Sequence, residues 1–301
     1  MTRLRVGTRA SSLAQKQTEA VVDLLRKAHP NADLEVVEIT TQGDSDQDTP
    51  LNQGSNVGWF TSAIQQALLR NEIDVAVHSY KDLPTKRPDG LSIAAVPLRE
   101  DPRDALVSLT RLRLGYLPEK ARIGTSSPRR EAQIRGIRPD VRVDSIRGNV
   151  ETRIGKVKKG DYDAIVVAHA GIQRLGLQAE VAQVFGYEEM LPAPAQGALA
   201  VECRSEDSGT REMLEAIDDP ELRPIVTAER VFLATLEAGC SFPAGAYAER
   251  FGSTVKLNAM VAPNGAVVRS KIGGPVETAA GLGKELAEEL MRTAGMEPPA
   301  S

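Results

Sequence analysis

Apolar and polar positions recur along the chain in two consecutive rounds of the same pattern. Leu4-Arg5-Val6-Gly7-Thr8 reads as a short strand, and Leu13, Ala14, Ala20, Val21, Leu24 and Leu25 recur near helical spacing over about 11–28. Leu34 to Thr40 alternates as a strand does. After a polar, glycine-containing loop to Gly58, residues Phe60, Ile64, Ala67 and Leu68 mark one face of a second helix, and Ile73 to Val77 is strand-like again. The order then repeats, with Arg122 to Thr125 as strand, a helix from Pro128, Val141 to Val143 as strand, a helix near 150–158 and Asp163 to Ala168 as strand. Each round predicts a parallel α/β lobe. The lobes open alike: Gly7-Thr8-Arg9-Ala10-Ser11-Ser12 is echoed by Gly124-Thr125-Ser126-Ser127-Pro128-Arg129-Arg130 at a strand-to-helix turn. Asp101-Pro102-Arg103-Asp104 and Leu191 to Gly197 flank the second lobe and mark candidate hinges. After Pro220, a helix over about 223–236, strand-like runs at 255–261 and 266–272, and a last helix with Leu282, Leu286 and Leu290 on one face predict a small α+β domain.

Composition narrows the class. A chain of 301 residues suggests two or three domains, and 41% hydrophobic with 26% charged residues is the mixture of a soluble globular protein. No stretch reaches the ~18 apolar residues of a membrane span, and Met1 to Gly7 lacks a secretory apolar region, so the chain reads as cytoplasmic. Cys203, Cys240, His29, His78 and His169 are too few for a disulfide framework or a zinc cluster, and no metal is expected. The net charge of −4 argues against a nucleic-acid partner. Residues 121–160 nevertheless carry eleven Lys/Arg against four Asp/Glu, which suits a pocket for a small anionic ligand.

Three groups of residues can carry chemistry. In Thr125-Ser126-Ser127-Pro128-Arg129-Arg130, hydroxyls stand at the helix cap, proline takes the first helical position, and two guanidinium groups join a helix N-terminus that already favours anions. Arg147-Gly148-Asn149 and Arg153 add charge at the next strand-to-helix turn, the edge where open α/β sheets bind ligands. His78-Ser79-Tyr80-Lys81-Asp82-Leu83-Pro84 follows a strand in the first lobe. Asp82 either serves proton transfer and cation stabilisation at a reacting amine or pairs locally with Lys81; the residues alone support both readings. Cys203 lies in the strand pattern Ala198 to Cys203 and reads as buried. Cys240 lies in a loop, yet on local chemistry alone a lone cysteine is more often a small buried hydrophobe. Trp59 and Phe60 read as core residues by default, with the cleft as the other possibility.

These segments, with Pro194-Ala195-Gln196-Gly197-Ala198 and Glu237-Ala238-Gly239-Cys240, occur together in the order seen in the hydroxymethylbilane synthases, also called porphobilinogen deaminases, and the chain resembles that family from Gly7 to beyond Cys240. The resemblance implies two periplasmic-binding-protein-like α/β lobes with a cleft plus a small α+β C-terminal domain. Residues 1–98 and 196–217 would form the first lobe, 101–192 the arginine-rich second and 220–301 the third domain. It implies a dipyrromethane cofactor bound covalently through Cys240, with porphobilinogen and the growing polypyrrole chain as partners. It further implies a reaction in which porphobilinogen loses ammonia, the resulting azafulvene is attacked by the free pyrrole end, and the finished linear tetrapyrrole is released by water. Asp82 matches the catalytic aspartate. Arg9, Arg129, Arg130, Arg147, Arg153 and Arg174 match positions that hold acetate and propionate groups; Ser11, Gln17, Ser79, Lys81, Thr125, Ser126, Ser127, Ser145, Gln196 and Gly197 complete the implied binding set. A monomer is implied, without nucleic acid or membrane.

Two positions depart from the family pattern. The loop Asn52 to Trp59 has no lysine where the family often has one, and His169 stands where a small or apolar residue is more usual. Two other classes fit part of the pattern. A two-lobed anion-binding protein without catalysis fits the lobes, but there is no export signal and no basic helix-turn-helix segment. A phosphate-handling transferase fits the arginines but leaves Cys240 without a role, and no Walker-type loop is present.

Overall fold

Strands whose residues are apolar at consecutive positions need cover on both faces, and the computed structural model, which describes residues 3–40, 62–236 and 242–296, supplies it in both lobes. The chain divides into two compact units, Met1–Glu100 with Ala198–Arg223, and Asp101–Gly197 with Pro224–Ser301.

In the first unit, with elements numbered along the chain, β1 (Arg3–Thr8), α1 (Ser12–Ala28), β2 (Asp33–Glu38), α2 (Ser62–Leu69), β3 (Val75–Ser79) and β4 (Leu91–Ala95) are joined by β10 (Leu199–Arg204) and α6 (Ser208–Glu215). The sheet order is β2-β1-β3-β10-β4. Leu4, Val6, Val75, Val77 and Val201 pack on one face with Val21, Leu25 and Leu214, while Ala76 and Leu91 pack on the other with Ile64 and Leu68. Cys203 is buried in the first of these clusters, as its strand pattern implies.

Asp74, just before β3, fastens three segments of this unit. It accepts hydrogen bonds from the Arg5 backbone N–H (2.9 Å), from Arg5 Nε (3.0 Å) and from an Arg204 guanidinium nitrogen (2.7 Å). Burial alone would push its carboxyl up, but these partners hold it at about 2. A carboxyl depressed on folding stabilises the protein above its unfolded value of about 3.9, and that stability is lost as pH falls through the folded value. Asp74→Asn is expected to weaken the unit at neutral pH and to flatten its loss of stability between about pH 4 and 2, read from hydrogen exchange of β1 and β3 amides. Parallel loss in the variant and the parent would exclude Asp74 as the group responsible.

The second unit contains β5 (Asp104–Ser108), β6 (Arg122–Gly124), α3 (Pro128–Ile137), β7 (Arg142–Asp144), α4 (Val150–Lys158), β8 (Ala164–Ala168), α5 (His169–Arg174) and β9 (Gln183–Val184). Its sheet order, β7-β6-β8-β5-β9, repeats that of the first unit strand for strand. Leu106, Ile123, Ala164 and Val166 line one face with Ile134 and Phe185; Val107, Ile165 and Val167 line the other with Ile154 and Val157.

The expected α/β lobes are present, but their sheets are mixed rather than parallel. Three strands run parallel in each, β2-β1-β3 and β7-β6-β8, whereas β10 and β5 pair antiparallel beside β3 and β8. Helical crossovers from strand to strand impose the parallel direction. The chain reaches β10 and β5 by other routes, which leave their direction free.

In the C-terminal part of the second unit, α7 (Leu222–Thr235) and α8 (Ala279–Thr293) pack on an antiparallel meander of β11 (Ala244–Phe251), β12 (Thr254–Val261) and β13 (Val268–Pro275). A side chain at Gly283 would meet the backbone of Ala228 and Phe232, so glycine there permits the close approach of α8 to α7. Strand β11 is not evident in the sequence, because Ala244-Gly245-Ala246 buries small residues where a strand pattern leads one to look for branched ones. The meander docks on the preceding lobe through Ala246 N–H to Pro192 O (3.0 Å) and through Glu229, which accepts from Ala195 N–H (2.6 Å) and Ala248 N–H (2.8 Å). Tyr187 stacks on Tyr247 at 3.8 Å.

Candidate functional site

Most of the predicted site residues gather at the carboxyl ends of parallel strands, β1 and β3 in the first unit and β6, β7 and β8 in the second. In the first unit β1 and β3 are neighbours, so the turns that leave them lie side by side. Ser11 caps α1, accepting from Ala14 N–H, and Arg9 lies in the same turn. Gln17, one turn into α1, donates to Ser79 Oγ at 2.6 Å, joining two of the predicted binding residues. Beyond Ser79 the chain makes a single 3-10 turn, Tyr80–Asp82, closed by Leu83 N–H to Tyr80 O. This turn carries Lys81 and an exposed Asp82. Asp82 forms no hydrogen bond or ion pair among the described residues, so the local Lys81 pairing does not occur.

In the second unit the turns after β6, β7 and β8 are neighbours too. Ser127 caps α3, with Pro128 at its first position. Ser126 Oγ donates to Ile146 O (2.6 Å), accepts from Ile146 N–H (3.1 Å) and meets Ser145 Oγ at 2.9 Å. It thereby ties the loop carrying Arg147 to the start of α3. Thr125 Oγ1 accepts from Ser127 N–H (3.2 Å). Asn149 caps α4, and Gly148 has φ 105°, a left-handed conformation in which any side chain would strain against Thr152. Arg153 Nε donates to Gly148 O (2.8 Å) and Lys156 to Arg147 O (3.2 Å), holding that loop from below. Arg174, at the end of α5, donates to Gly197 O at 2.7 Å.

Arg129 and Arg130 are placed differently from their neighbours. Both are buried, 4% and 7% exposed, and both turn inward to Asp104, which is fully buried. Arg129 meets Asp104 Oδ2 at 2.7 Å and Leu191 O at 2.6 Å. Arg130 donates to Asp104 Oδ1 from Nε (3.0 Å) and from a terminal nitrogen (2.7 Å), and to Val166 O at 3.1 Å. Gln196 adds a third donor to Asp104 Oδ1 at 2.9 Å and reaches Pro102 O at 2.7 Å. Burial alone would raise the Asp104 carboxyl; the two guanidinium groups outweigh it and hold the group well below the ordinary carboxylate range. Two cations on one carboxylate leave a net positive charge beneath the start of α3.

Asp104 is the residue that sequence reasoning missed. The adjacent arginine pair is no local signal for it, because only their burial, which the structure shows, requires an anion there. The departure at His169 also finds a partner: its Nδ1 lies 3.0 Å from Asp101, whose carboxyl is bound by Arg103. Cys240, Trp59 and Phe60 lie outside the described residues.

A convergent edge of guanidinium groups, hydroxyls and backbone N–H groups suits a ligand with several carboxylates, as the pyrroles of a dipyrromethane are. Among the described residues, no helix is long and apolar enough to cross a membrane, and no group of three or more His, Cys, Asp or Glu is arranged to hold a metal.

Comparison with known proteins agrees with this chemistry. Residues 4–212 match the family model described as porphobilinogen deaminase, dipyromethane cofactor binding domain, and residues 224–292 match the porphobilinogen deaminase C-terminal domain. The porphobilinogen deaminase of Acidothermus cellulolyticus is 48% identical over 96% of this chain and 88% of its own length. That of Roseiflexus castenholzii is 44% identical over 97% of both chains. Among solved structures, the Methionine Binding Protein MetQ aligns over 73% of this chain and 92% of its own, with a TM-score of 0.47 and 10% identity. Matched by both family models across most of its length and by relatives approaching half identity, the chain belongs to the porphobilinogen deaminase family.

Proposed function

We propose that the chain performs the hydroxymethylbilane synthase reaction of its family through Asp82, with dipyrromethane attached at Cys240 and the cations of the second unit holding the carboxylates of the pyrroles. The observation that carries this reading is the grouping of Ser127, Arg147, Arg153 and Arg174 around the ends of β6, β7 and β8. When bound, the cofactor supplies the free pyrrole carbon to which new units join. At each addition a carbon–nitrogen bond of porphobilinogen breaks and ammonia leaves with a proton, so the remaining ring carries a positive charge until the new carbon–carbon bond forms and its pyrrole carbon loses a proton. Asp82, on an exposed turn, has a carboxyl group able to pass that proton and, when ionised, to offset the ring charge.

Every pyrrole brings an acetate and a propionate, and bidentate guanidinium contacts suit both. Arg147, Arg153, Arg174, Arg9 and Lys81, with Ser11, Gln17, Ser79, Thr125, Ser127, Ser145 and Gly197, are the proposed contacts. Arg129, Arg130 and Gln196 act with Asp104 as a charged frame within the second unit, and Ser126 as the tie between two of its loops. Action in the cytoplasm, as a monomer, is part of the same proposal.

The test is the intact mass of freshly purified protein. An excess equal to two linked pyrrole units, mapped to the peptide containing Cys240, is expected. An unmodified chain that still converted porphobilinogen would remove the cofactor from the reading.

A further inference from the structure

Behind the turn that carries Asp82 lies a buried polar cluster for which the reaction described above has no use. Glu202, on β10, is fully buried, and its carboxyl group meets Gln65 Nε2 at 3.2 Å on each oxygen and His78 Nε2 at 3.1 Å. Gln65 and His78 are themselves 3% and 5% exposed. No lysine or arginine pairs with Glu202 among the described residues. A carboxylate out of water is costly without a cation or good hydrogen bonds, and leaving one such partner unpaired costs more than keeping the pair. The three side chains therefore act as one unit, joined through the 3.1 Å contact of His78 Nε2 with Glu202 Oε2 and the two contacts of Gln65.

The placement of this unit gives it a consequence. In the β3–β10 register Ala200 faces His78 and Glu202 faces Ala76, so His78 and Glu202 are diagonal neighbours on one face of the sheet. Gln65 comes from α2. The cluster thus clamps α2, β10 and the last turn-ward residues of β3 together. One residue beyond His78 comes Ser79, and the chain then turns over Tyr80–Asp82, with Tyr80 N–H bonded to Ala198 O at 3.0 Å. Any shift of His78 along or across β10 is carried directly into the turn. A displacement of about 1 Å at a reacting group can cost as much as 100-fold in rate.

We infer that His78 and Glu202 are positioning residues for Asp82, holding the carboxyl end of β3 so that the turn presents Asp82 to the reacting amine. This rests on the reading of Asp82 given above.

The test uses cofactor-loaded enzyme. Glu202→Gln and His78→Leu are expected to lower kcat for ammonia release by about tenfold, with KM within about twofold of the parent and the Cys240 mass excess retained. His78→Gln, which keeps a donor near the Nε2 position, is expected to recover most of kcat, a rescue that simple loss of packing would not allow. In the Asp82→Asn background, followed in single turnovers, Glu202→Gln is expected to have no further effect, because residues acting through one group are not additive. A further tenfold loss in that background, an unchanged kcat in the single variants, or a loss confined to KM would overturn the inference. If Glu202→Gln fails to fold, the His78→Leu and His78→Gln pair decides alone. Normal turnover in Asp82→Asn would instead remove the reading of Asp82, so the two failures are distinguishable.

Discussion

Asp82→Asn is expected to lower ammonia release by about a thousandfold, within the ~10²–10⁴ range for loss of a positioned proton-transfer group, while leaving the fold and the bound cofactor intact. Asparagine has nearly the shape of aspartate but can neither pass a proton nor offset a positive ring. Since Asp82 is exposed and forms no hydrogen bond or ion pair among the described residues, its replacement is a surface change of a kind that usually falls within about ±0.5 kcal/mol. Three measurements on one preparation separate the possibilities: turnover of porphobilinogen, intact mass and the thermal midpoint. Loss of turnover with mass and midpoint preserved is the expected pattern. Near-normal turnover would take Asp82 out of the mechanism, and loss of the mass excess would move its role from chemistry to cofactor attachment.

That pattern is informative because sequence and structure contribute unequally to it. The strands and helices of both lobes are legible from periodicity: Leu4 to Thr8, the α1 stripe and Asp163 to Ala168 all appear within a residue or two of where their apolar spacing puts them. Short strands entering by long-range contact are not. Strands β4, β5 and β9 lie outside the strand–helix alternation that marks β6 and β7, themselves shorter than β4 and β5, so the pattern along the chain does not set them apart from loops. The site shows the same division. Ser127, Pro128 and Asn149 are legible as caps because a cap is a local device. The inward turn of Arg129 and Arg130 is not, because it depends on Asp104, some 25 residues away in the chain. The cluster of Gln65, His78 and Glu202 spans an even longer separation and left no local trace. Cys240 is legible only through its family motif.

The Asp104 network supports the second large prediction, which concerns stability first and function second. Asp104→Asn removes the charge that holds two buried guanidinium groups and places an amide N–H among donors that need an acceptor. Breaking a buried ion pair by removing one partner typically costs about 3–5 kcal/mol. Urea unfolding of the second unit is expected to show a loss of that size at neutral pH. The sign with pH follows from the direction of the shift: a carboxyl held below its unfolded value stabilises the fold above that value and ceases to do so as pH falls through the folded one. The gap between parent and variant should therefore close in acid. A variant within about 1 kcal/mol of the parent at neutral pH would show that the network is not what holds this unit together. Replacing all three charges at once, Asp104→Leu with Arg129→Met and Arg130→Leu, separates stability from function. Well-packed apolar groups often substitute for a buried ion cluster at little cost, so stability is expected to return toward that of the parent. The net positive charge beneath α3 would not return. If that charge helps hold the carboxylates of the pyrroles, the stable triple variant should lack the mass excess at Cys240, whereas a triple variant both stable and fully loaded would reduce Arg129 and Arg130 to parts of the scaffold.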